Sequence, residues 1–255
     1  MTLVDSGSRS PTIDRREVAK FAAIAEQWWR PDGKFAALHR MNVTRLEFIR
    51  EEVLRHFSLA PVDARRPFQG LKVIDLGCGG GLVTEPMARL GAQVIGLDAS
   101  EEAIKAARAH ARGAASAIDY RVGLPESLVA AGEPQADIVL ALEIVEHVAD
   151  LAAFAVAAAT LVKPGGLLFL STINRTPEAF AFALVGAERI LRWLPPGAHD
   201  YAKLVTPDEL RGAFDGLLGL SVRGPVGMTF NPFTGQWKLG RDARINYLMT
   251  AAKAD

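Results

Sequence analysis

After residue 70, short apolar runs alternate with longer stretches in which apolar residues recur at helical spacing. The apolar runs predict five strands, at residues 72–76, 93–97, 117–122, 136–142 and 167–171. The stretches between the strands predict helices at residues 82–90, 101–112, 125–131 and 151–162. Such alternation is typical of a parallel sheet with right-handed crossovers, so we expect an α/β fold.

The chain on either side of this alternation is more helical in pattern. Residues 16–29 and about 43–57 predict two helices, and residues 177–194 predict a helical insert after the fifth strand. Residues 206–214 predict a further helix, and residues 218–226 and 244–251 a final pair of strands. The expected organisation is a disordered tail over residues 1–15 and a single domain over residues 16–255. That domain comprises a helical cap and linker (16–69) and a core (70–255) whose insert spans about 175–205.

Composition excludes several classes of protein. The 255 residues are 49% hydrophobic and 23% charged, which suits a chain with a packed core. Lys and Arg number 29, as do Asp and Glu, so the basic surface of a nucleic-acid-binding protein is not expected. The single cysteine, Cys78, cannot form an internal disulfide and fits a cytoplasmic location. No apolar run reaches the ~18 residues that a membrane-spanning helix needs.

A glycine-rich segment is the strongest local motif. Asp75-Leu76-Gly77-Cys78-Gly79-Gly80-Gly81 ends a predicted strand and opens a predicted helix, and glycines there let the backbone approach a ligand closely. Asp98 ends the next predicted strand, where an acidic side chain can bind both hydroxyls of a ribose. The pattern predicts a nucleotide-like ligand, with a purely structural turn as the alternative. A dinucleotide-binding loop would carry another glycine where this chain has Leu82.

The glycine segment resembles the first motif of the class I S-adenosylmethionine-dependent methyltransferases. Gly96-Leu97-Asp98 resembles their acidic ribose-binding position, and Lys163-Pro164-Gly165-Gly166 resembles the turn before their fifth strand. The resemblance implies a Rossmann-like, seven-stranded, mostly parallel sheet with a final antiparallel strand. It also implies S-adenosyl-L-methionine as the cofactor.

Nearly the whole chain resembles a narrower family, the ubiquinone-biosynthesis O-methyltransferases, which act on polyprenylated phenols and catechols. The similar segments are residues 21–29, 38–45, 143–148, 171–175, 185–188, 197–200 and 230–232. The resemblance implies O-methylation of such phenol or catechol intermediates. Carried over to matching positions, the family's cofactor contacts fall on Arg45, Gly77, Asp98 and Leu142, with Gly79 in the same loop. Arg45 would bind the methionine carboxylate through its planar fork, and a solvated helix charge is the alternative.

Two glutamates and a histidine follow the fourth predicted strand. If the chain is helical there, Glu143, Glu146 and His147 share a face and form a candidate divalent-ion site. The resemblance implies an ion at such a triad, and oxygen ligands favour magnesium. The alternative is that these residues only shape the site. His147 has a second candidate role as the catalytic general base for a phenolic proton. His39 and His199 are expected to be positional, and His110 a surface residue.

The insert raises the question of a membrane. Phe180, Leu184 and Trp193 are apolar, while charged residues interrupt the segment, so the pattern indicates either an interfacial helix on lipid or a lid over the site. The expected partners are the polyprenyl phenol or catechol substrate, peripheral lipid at the inner face of the membrane, and a ubiquinone-biosynthesis complex. The alternative functions are a methyltransferase for another small phenol or acid, a dinucleotide-binding oxidoreductase, and a non-catalytic cofactor-binding subunit.

Overall fold

One mixed sheet organises the protein. The computed structural model describes residues 12–30, 32–60, 63–112, 118–181, 200–231 and 234–255. Within these residues the strands are β1 (Lys72–Leu76), β2 (Gln93–Asp98), β3 (Ile118–Val122), β4 (Ala136–Leu142), β5 (Val162–Ile173), β6 (Leu220–Asn231), β7 (Gln236–Gly240) and β8 (Asn246–Lys253). Their order is β3-β2-β1-β4-β5-β8-β6-β7. The pairs from β3 to β5 are parallel, whereas β8 pairs antiparallel with both β5 and β6, and β7 with β6.

Helices cover both faces of this sheet. They are α1 (Arg15–Ala22), α2 (Ala36–His56), α3 (Thr84–Arg89), α4 (Glu101–Ala111), α5 (Pro125–Ala130), α6 (Leu151–Leu161), a short α7 (Pro177–Ala179) and α8 (Pro207–Phe214). Single 3₁₀ turns occur at Ala25–Gln27, Tyr201–Lys203 and Leu217–Gly219. Helix α1 begins at Arg15 because the Asp14 carboxylate accepts the backbone N–H groups of Arg16 and Glu17.

The strands at the centre of the sheet divide their side chains between two apolar layers. On one face, Ile74 and Val139 belong to the same buried cluster as Phe154 of α6 and Phe214 of α8. On the other face, neighbouring residues of β1 and β4 pack with Phe48 of α2. Because the strands alternate sides and both sides are covered, the apolar runs that predicted them are nearly continuous. The carboxyl ends of β1, β2, β4 and β5 share one edge of the sheet, where α/β proteins place ligands.

The predicted fold class is confirmed, and the strand count differs from the expected seven. Strand β7 was missed because it is a short edge strand in which only Trp237 is buried, so it carries little apolar signal. The first predicted helix, residues 16–29, stops at Ala22 and continues as a separate 3₁₀ turn. Residues 163–166, predicted as a turn, are included in β5.

The structure describes only part of the predicted N-terminal tail and of the predicted insert. Residues 1–11 of the predicted tail lie outside the described residues, but Thr12 is buried and its hydroxyl donates to the Glu126 carboxylate at 2.6 Å. Most of the predicted insert helix, including Leu184 and Trp193, lies outside the described residues, as does His199. Over the part of the chain that is described, no helix combines the length and apolar character needed to cross a membrane.

Candidate active site

The glycine segment forms a tight turn directly after β1. Gly77 and Gly79 have φ values of +73° and +53°, a backbone conformation that residues with a side chain rarely adopt. The backbone N–H groups of Gly77 and Cys78 both donate to the Leu97 carbonyl, at 2.8 and 3.0 Å. A Cβ atom at Gly77 would lie 2.8 Å from the Ile144 side chain. The predicted loop is therefore present, and its glycines are required by both backbone conformation and close packing.

Asp98 fastens this loop to the end of β2. One carboxylate oxygen of Asp98 accepts the Gly79 N–H at 2.8 Å, and the other accepts the Ser100 N–H at 2.8 Å. Burial raises the pKa of the Asp98 carboxyl, while these two backbone donors act in the opposite direction. Asp98 therefore lies beside the loop, as its predicted position at the end of β2 requires, and it also holds the loop in shape, which no sequence pattern indicates.

Two tryptophans from the N-terminal segment cover the loop. A Cβ atom at Gly80 would lie 2.4 Å from Trp28, whose ring stacks on Phe35 with centroids 3.6 Å apart. The Trp29 indole N–H donates to the Gly80 carbonyl at 2.8 Å. The helical periodicity of residues 16–29 predicts that both tryptophans lie on one face of a helix, and it gives no indication that they cover the loop.

Arg45 lies inside the protein, with its side chain 3% exposed. Its guanidinium donates to the Asn42 side chain, and Nη1 lies 3.3 Å from Glu143 Oε1. Burial lowers the pKa of Arg45, and the negative charge of Glu143 counteracts that effect. A solvated helix charge, the alternative for this residue, is wrong because the side chain is buried and paired. Its partner Glu143 was expected as a metal ligand.

The segment after β4 is not helical in the way that the metal prediction required. Glu143 has φ +53°, a left-handed conformation, and only residues 145–147 form a turn, closed by the His147 N–H and the Ile144 carbonyl. The three side chains consequently have different partners. Glu143 accepts the Ser171 hydroxyl at 2.7 Å, and His147 Nδ1 lies 3.1 Å from Glu17 Oε2. The expectation of a shared helical face is wrong, because Glu143 is itself left-handed and lies before the turn that contains Glu146 and His147.

Glu146 occupies the most buried position of the three. Its Oε2 accepts the Thr172 hydroxyl at 2.8 Å, whereas Oε1 has no hydrogen-bond partner within the described residues. Burial, together with the nearby charge of Glu143, raises the pKa of Glu146 to about 8. A cation between these two carboxylates would offset both effects, so the donor chemistry fits a divalent ion. The side chains as observed are not oriented to bind an ion, since no group of three His, Cys, Asp or Glu side chains within the described ranges is arranged to hold a metal.

His39 and His110 have structural contacts. His39 Nε2 lies 2.7 Å from the Trp28 carbonyl, in agreement with a positional role. His110 is exposed as expected, but it also stacks on Trp29 at 3.4 Å and pairs with Glu85 at 2.6 Å. His199 lies outside the described residues.

A cavity of about 210 Å³ joins these features. Seven of the predicted site residues line it, namely Arg45, Gly77, Gly79, Asp98, Leu142, Glu143 and His147. Glu146 is not among the lining residues and lies deeper, against Thr172. The N-terminal segment also lines it, through residues that include Glu17, Phe21 and Trp28. Nothing in the local sequence pattern marked Glu17, because its contact to His147 joins residues far apart in the chain.

Comparison with known proteins agrees with this geometry. A family model described as a methyltransferase domain matches residues 74–170. The chain is 52% identical to the ubiquinone biosynthesis O-methyltransferase of Maricaulis maris, over 95% of this chain and 94% of the relative. It is 48% identical to the protein of that name from Caulobacter vibrioides, over 99% of this chain and 100% of the relative.

A solved structure supports the fold over a similar extent. The magnesium protoporphyrin IX methyltransferase of Synechocystis PCC 6803, with bound SAM, superposes with a TM-score of 0.59 at 17% identity. The superposition covers 96% of this chain and 100% of the cyanobacterial one. The fold and the site thus define a class I S-adenosylmethionine-dependent methyltransferase. Within that class, the chain belongs to the ubiquinone biosynthesis O-methyltransferase family.

Proposed function

We propose that this protein transfers a methyl group to a hydroxyl of polyprenylated phenol or catechol intermediates in ubiquinone biosynthesis. The observation that carries the proposal is the single cavity in which the Asp98-fastened glycine loop meets Arg45, Glu143 and His147. Such a site combines a surface for a nucleoside with ionisable groups suited to a phenolic proton. Close full-length similarity to proteins bearing the family name supports the substrate class.

The loop and its neighbours would hold the cofactor. Asp98 would accept hydrogen bonds from the ribose hydroxyls, and the close backbone at Gly77 and Gly79 would leave room for the ligand. Arg45 would bind the methionine carboxylate, and Leu142 at the end of β4 would pack against the cofactor. When bound, S-adenosylmethionine supplies an electrophilic methyl group.

His147 would act on the substrate as the general base. A free phenol has a pKa near ~10, so little phenolate exists at neutral pH, and proton removal makes the oxygen a much better nucleophile. His147 lines the cavity and its side chain is only 10% exposed. The apolar surroundings would also exclude water, while fixed reactants can lower the barrier by several kcal/mol, up to ~7–11 in ideal geometry.

The competing role for His147 is as a ligand, with Glu143 and Glu146, of a divalent ion, and hard oxygen donors favour magnesium. Glu143, Glu146 and His147 would hold it after their side chains turn toward one another. When bound, such an ion favours the ionised form of a catechol oxygen and fixes its position. If this is right, exhaustive chelation should abolish methyl transfer and added Mg²⁺ should restore it. Full activity after chelation, with no metal found by elemental analysis, would leave the two glutamates as site-shaping residues.

The decisive experiment is a methyl-transfer assay on the purified protein. Radiolabelled S-adenosylmethionine would be supplied with a short-chain prenylated catechol, an unprenylated catechol and a small aromatic acid. We expect transfer to the prenylated catechol to be strongly preferred, and S-adenosylhomocysteine but not NADH to raise the melting temperature. Preference for an unprenylated acceptor would favour a methyltransferase for another small phenol or acid. Stabilisation by NADH alone would favour an oxidoreductase, and cofactor binding without transfer a non-catalytic subunit.

Peripheral contact with the cytoplasmic face of the membrane is a further proposal. It is supported by the apolar and charged pattern of residues 177–194 and by the lipid-soluble class of substrate. Phe180, at the described start of this segment, is 43% exposed. Replacing Phe180, Leu184 and Trp193 by Ser should reduce co-sedimentation with anionic liposomes. Absence of co-sedimentation by the unchanged protein would contradict membrane contact. Association with other ubiquinone-biosynthesis proteins is proposed from the family alone.

A further inference from the structure

We propose that Glu17 is a positioning residue that fixes the ring orientation and the tautomer of His147. The proposal rests on the proposed function, in which His147 removes the phenolic proton. Glu17 lies on α1, far from His147 in the chain, yet its Oε2 lies 3.1 Å from His147 Nδ1. The two side chains are 7% and 10% exposed, so this contact is sheltered from water. In such surroundings a carboxylate–imidazole hydrogen bond is stronger than at the surface.

The Glu17 carboxylate is itself held in place by two lysines. Its Oε1 lies 3.0 Å from Lys20 Nζ, and 3.1 Å from Lys203 Nζ. Lys203 also contacts the Asp14 carboxylate at 2.6 Å, one turn before Glu17. Both lysines contact Oε1, which leaves Oε2 directed at His147.

A second residue of α1 fixes the plane of the imidazole. Phe21 lies one helical turn after Glu17, and its ring meets the His147 ring edge-on at 5.0 Å and 80°. Glu17, Phe21 and His147 all line the cavity. One helix thus supplies a polar contact to one ring atom and an apolar contact to the ring itself. Together these contacts define the orientation of an imidazole whose own backbone lies in a turn.

The arrangement assigns different tasks to the two ring nitrogens. Nδ1 carries a hydrogen and donates it to Glu17, so Nε2 is the nitrogen that accepts the phenolic proton. As the phenolic O–H bond breaks, its electron pair stays on oxygen to form the new C–O bond, and the C–S pair stays with the departing sulfur. His147 becomes an imidazolium, and the ionised Glu17 stabilises that charge. The same fixed tautomer would serve His147 if it ligated an ion through Nε2.

The test compares Glu17→Gln with Glu26→Gln, a change at an exposed glutamate of the same N-terminal segment. The substrates are an ordinary prenylated catechol and a nitro-substituted one that is already ionised at neutral pH. We expect Glu17→Gln to lower kcat by about 10- to 100-fold on the ordinary catechol, with KM and S-adenosylhomocysteine affinity unchanged. On the nitro compound the loss should nearly vanish, since no base is needed. His147→Ala should show the same dependence on substrate acidity, and Glu26→Gln should match the unchanged protein.

Several outcomes would overturn the assignment. Unchanged kcat in Glu17→Gln, or an equal loss on both substrates, would show that Glu17 is dispensable or merely structural. A second measurement needs no variant at Glu17. ¹⁵N NMR of histidine-labelled protein, with the His147 signals identified from His147→Ala, should show a hydrogen on Nδ1. A hydrogen on Nε2 instead would overturn the proposal even if transfer proceeds. If the unchanged protein methylates neither catechol, the proposed function fails and this assignment fails with it.

Discussion

Arg45 and Glu143 form a largely buried ion pair that joins α2 to the segment following β4, with Nη1 3.3 Å from Oε1. The Ser171 hydroxyl donates to the same carboxylate oxygen at 2.7 Å. Charges that are removed from water in this way are costly unless both partners are present. Both residues also line the cavity, so the pair contributes to the stability of the fold and to the shape of the cavity wall.

Removing Arg45 should destabilise the protein far more than removing an exposed arginine. Arg45→Ala leaves Glu143, whose side chain is only 12% exposed, without its counter-charge, and breaking a buried pair costs about 3–5 kcal/mol. The matched control is Arg55→Ala, also on α2, whose partner Glu52 is partly exposed; there we expect a loss of at most ~1 kcal/mol. Urea unfolding followed by circular dichroism measures both. Similar losses in the two variants would show that the buried pair contributes no more than a surface pair.

Asp98→Ala should weaken cofactor binding without unfolding the protein. The change removes a charged acceptor for the ribose and also releases the Gly79 and Ser100 N–H groups that Asp98 now holds. Loss of a hydrogen bond to a charged group is worth roughly 1.5–3 kcal/mol, so affinity for S-adenosylhomocysteine should fall about ten- to hundred-fold. Titration calorimetry would measure this, with Asp119→Ala on β3 as the control. Unchanged affinity would rule out the ribose contact.

Gly79→Ala separates backbone strain from the packing of Trp28. Gly79 and Gly132 both have positive φ, +53° and +68°, so alanine at either position adds about 1–2 kcal/mol of left-handed strain. Only at Gly79 does a Cβ atom meet a neighbour, the Trp28 ring at 2.5 Å, whereas Gly132 faces open space. We expect Gly79→Ala alone to shift tryptophan fluorescence and to weaken S-adenosylhomocysteine binding at least about tenfold, or 1.4 kcal/mol. Equal effects on ligand affinity would mean that Trp28 does not shape the site.

Asp75 should make the protein less stable as the pH rises from about 4 to 6. Burial raises the pKa of Asp75 to about 6, although the Thr84 hydroxyl bond opposes the shift. Between pH 3.8, the ordinary pKa of an aspartate, and about pH 6, Asp75 keeps its proton in the folded protein but has released it in the unfolded chain. The free energy of unfolding therefore falls as the pH rises. Carboxylates with lowered pKa values, such as Glu133, have the opposite effect and make the folded protein more stable as the pH rises.

The contribution of Asp75 is isolated by comparison with Asp75→Asn, which cannot titrate. The free energy of unfolding of the unchanged protein, minus that of the variant, should fall by a few kcal/mol across this interval, at about 1.36 kcal/mol per pH unit. Above pH 6 the difference should level off. A difference that stays constant from pH 4 to 7 would show that Asp75 titrates normally.

The sequence predicts the central sheet well because burial on both faces leaves an unmistakable pattern. Strands β1 and β4 occur at the expected residues, and the position of Asp98 follows from the strand that precedes it. Contacts between distant segments have no such local signal. Glu17 looks like any polar residue of an amphipathic helix, and its partner His147 is on another element. The conformation of Glu143 was equally hidden, since an acidic residue gives no warning of a positive φ.

The position of β8 has a consequence for synthesis on the ribosome. Strands β6 and β7 precede β8 in the chain, yet β8 lies between β5 and β6 in the sheet. Until residues 246–253 emerge, the nascent protein carries β5 with one edge unpaired and β6 and β7 without a connection to the sheet. Leu168 and Leu170 of β5 are fully buried in the finished fold. An apolar strand with an open edge is a template for pairing between chains, so a ribosome that stalls before these codons would release an aggregation-prone product.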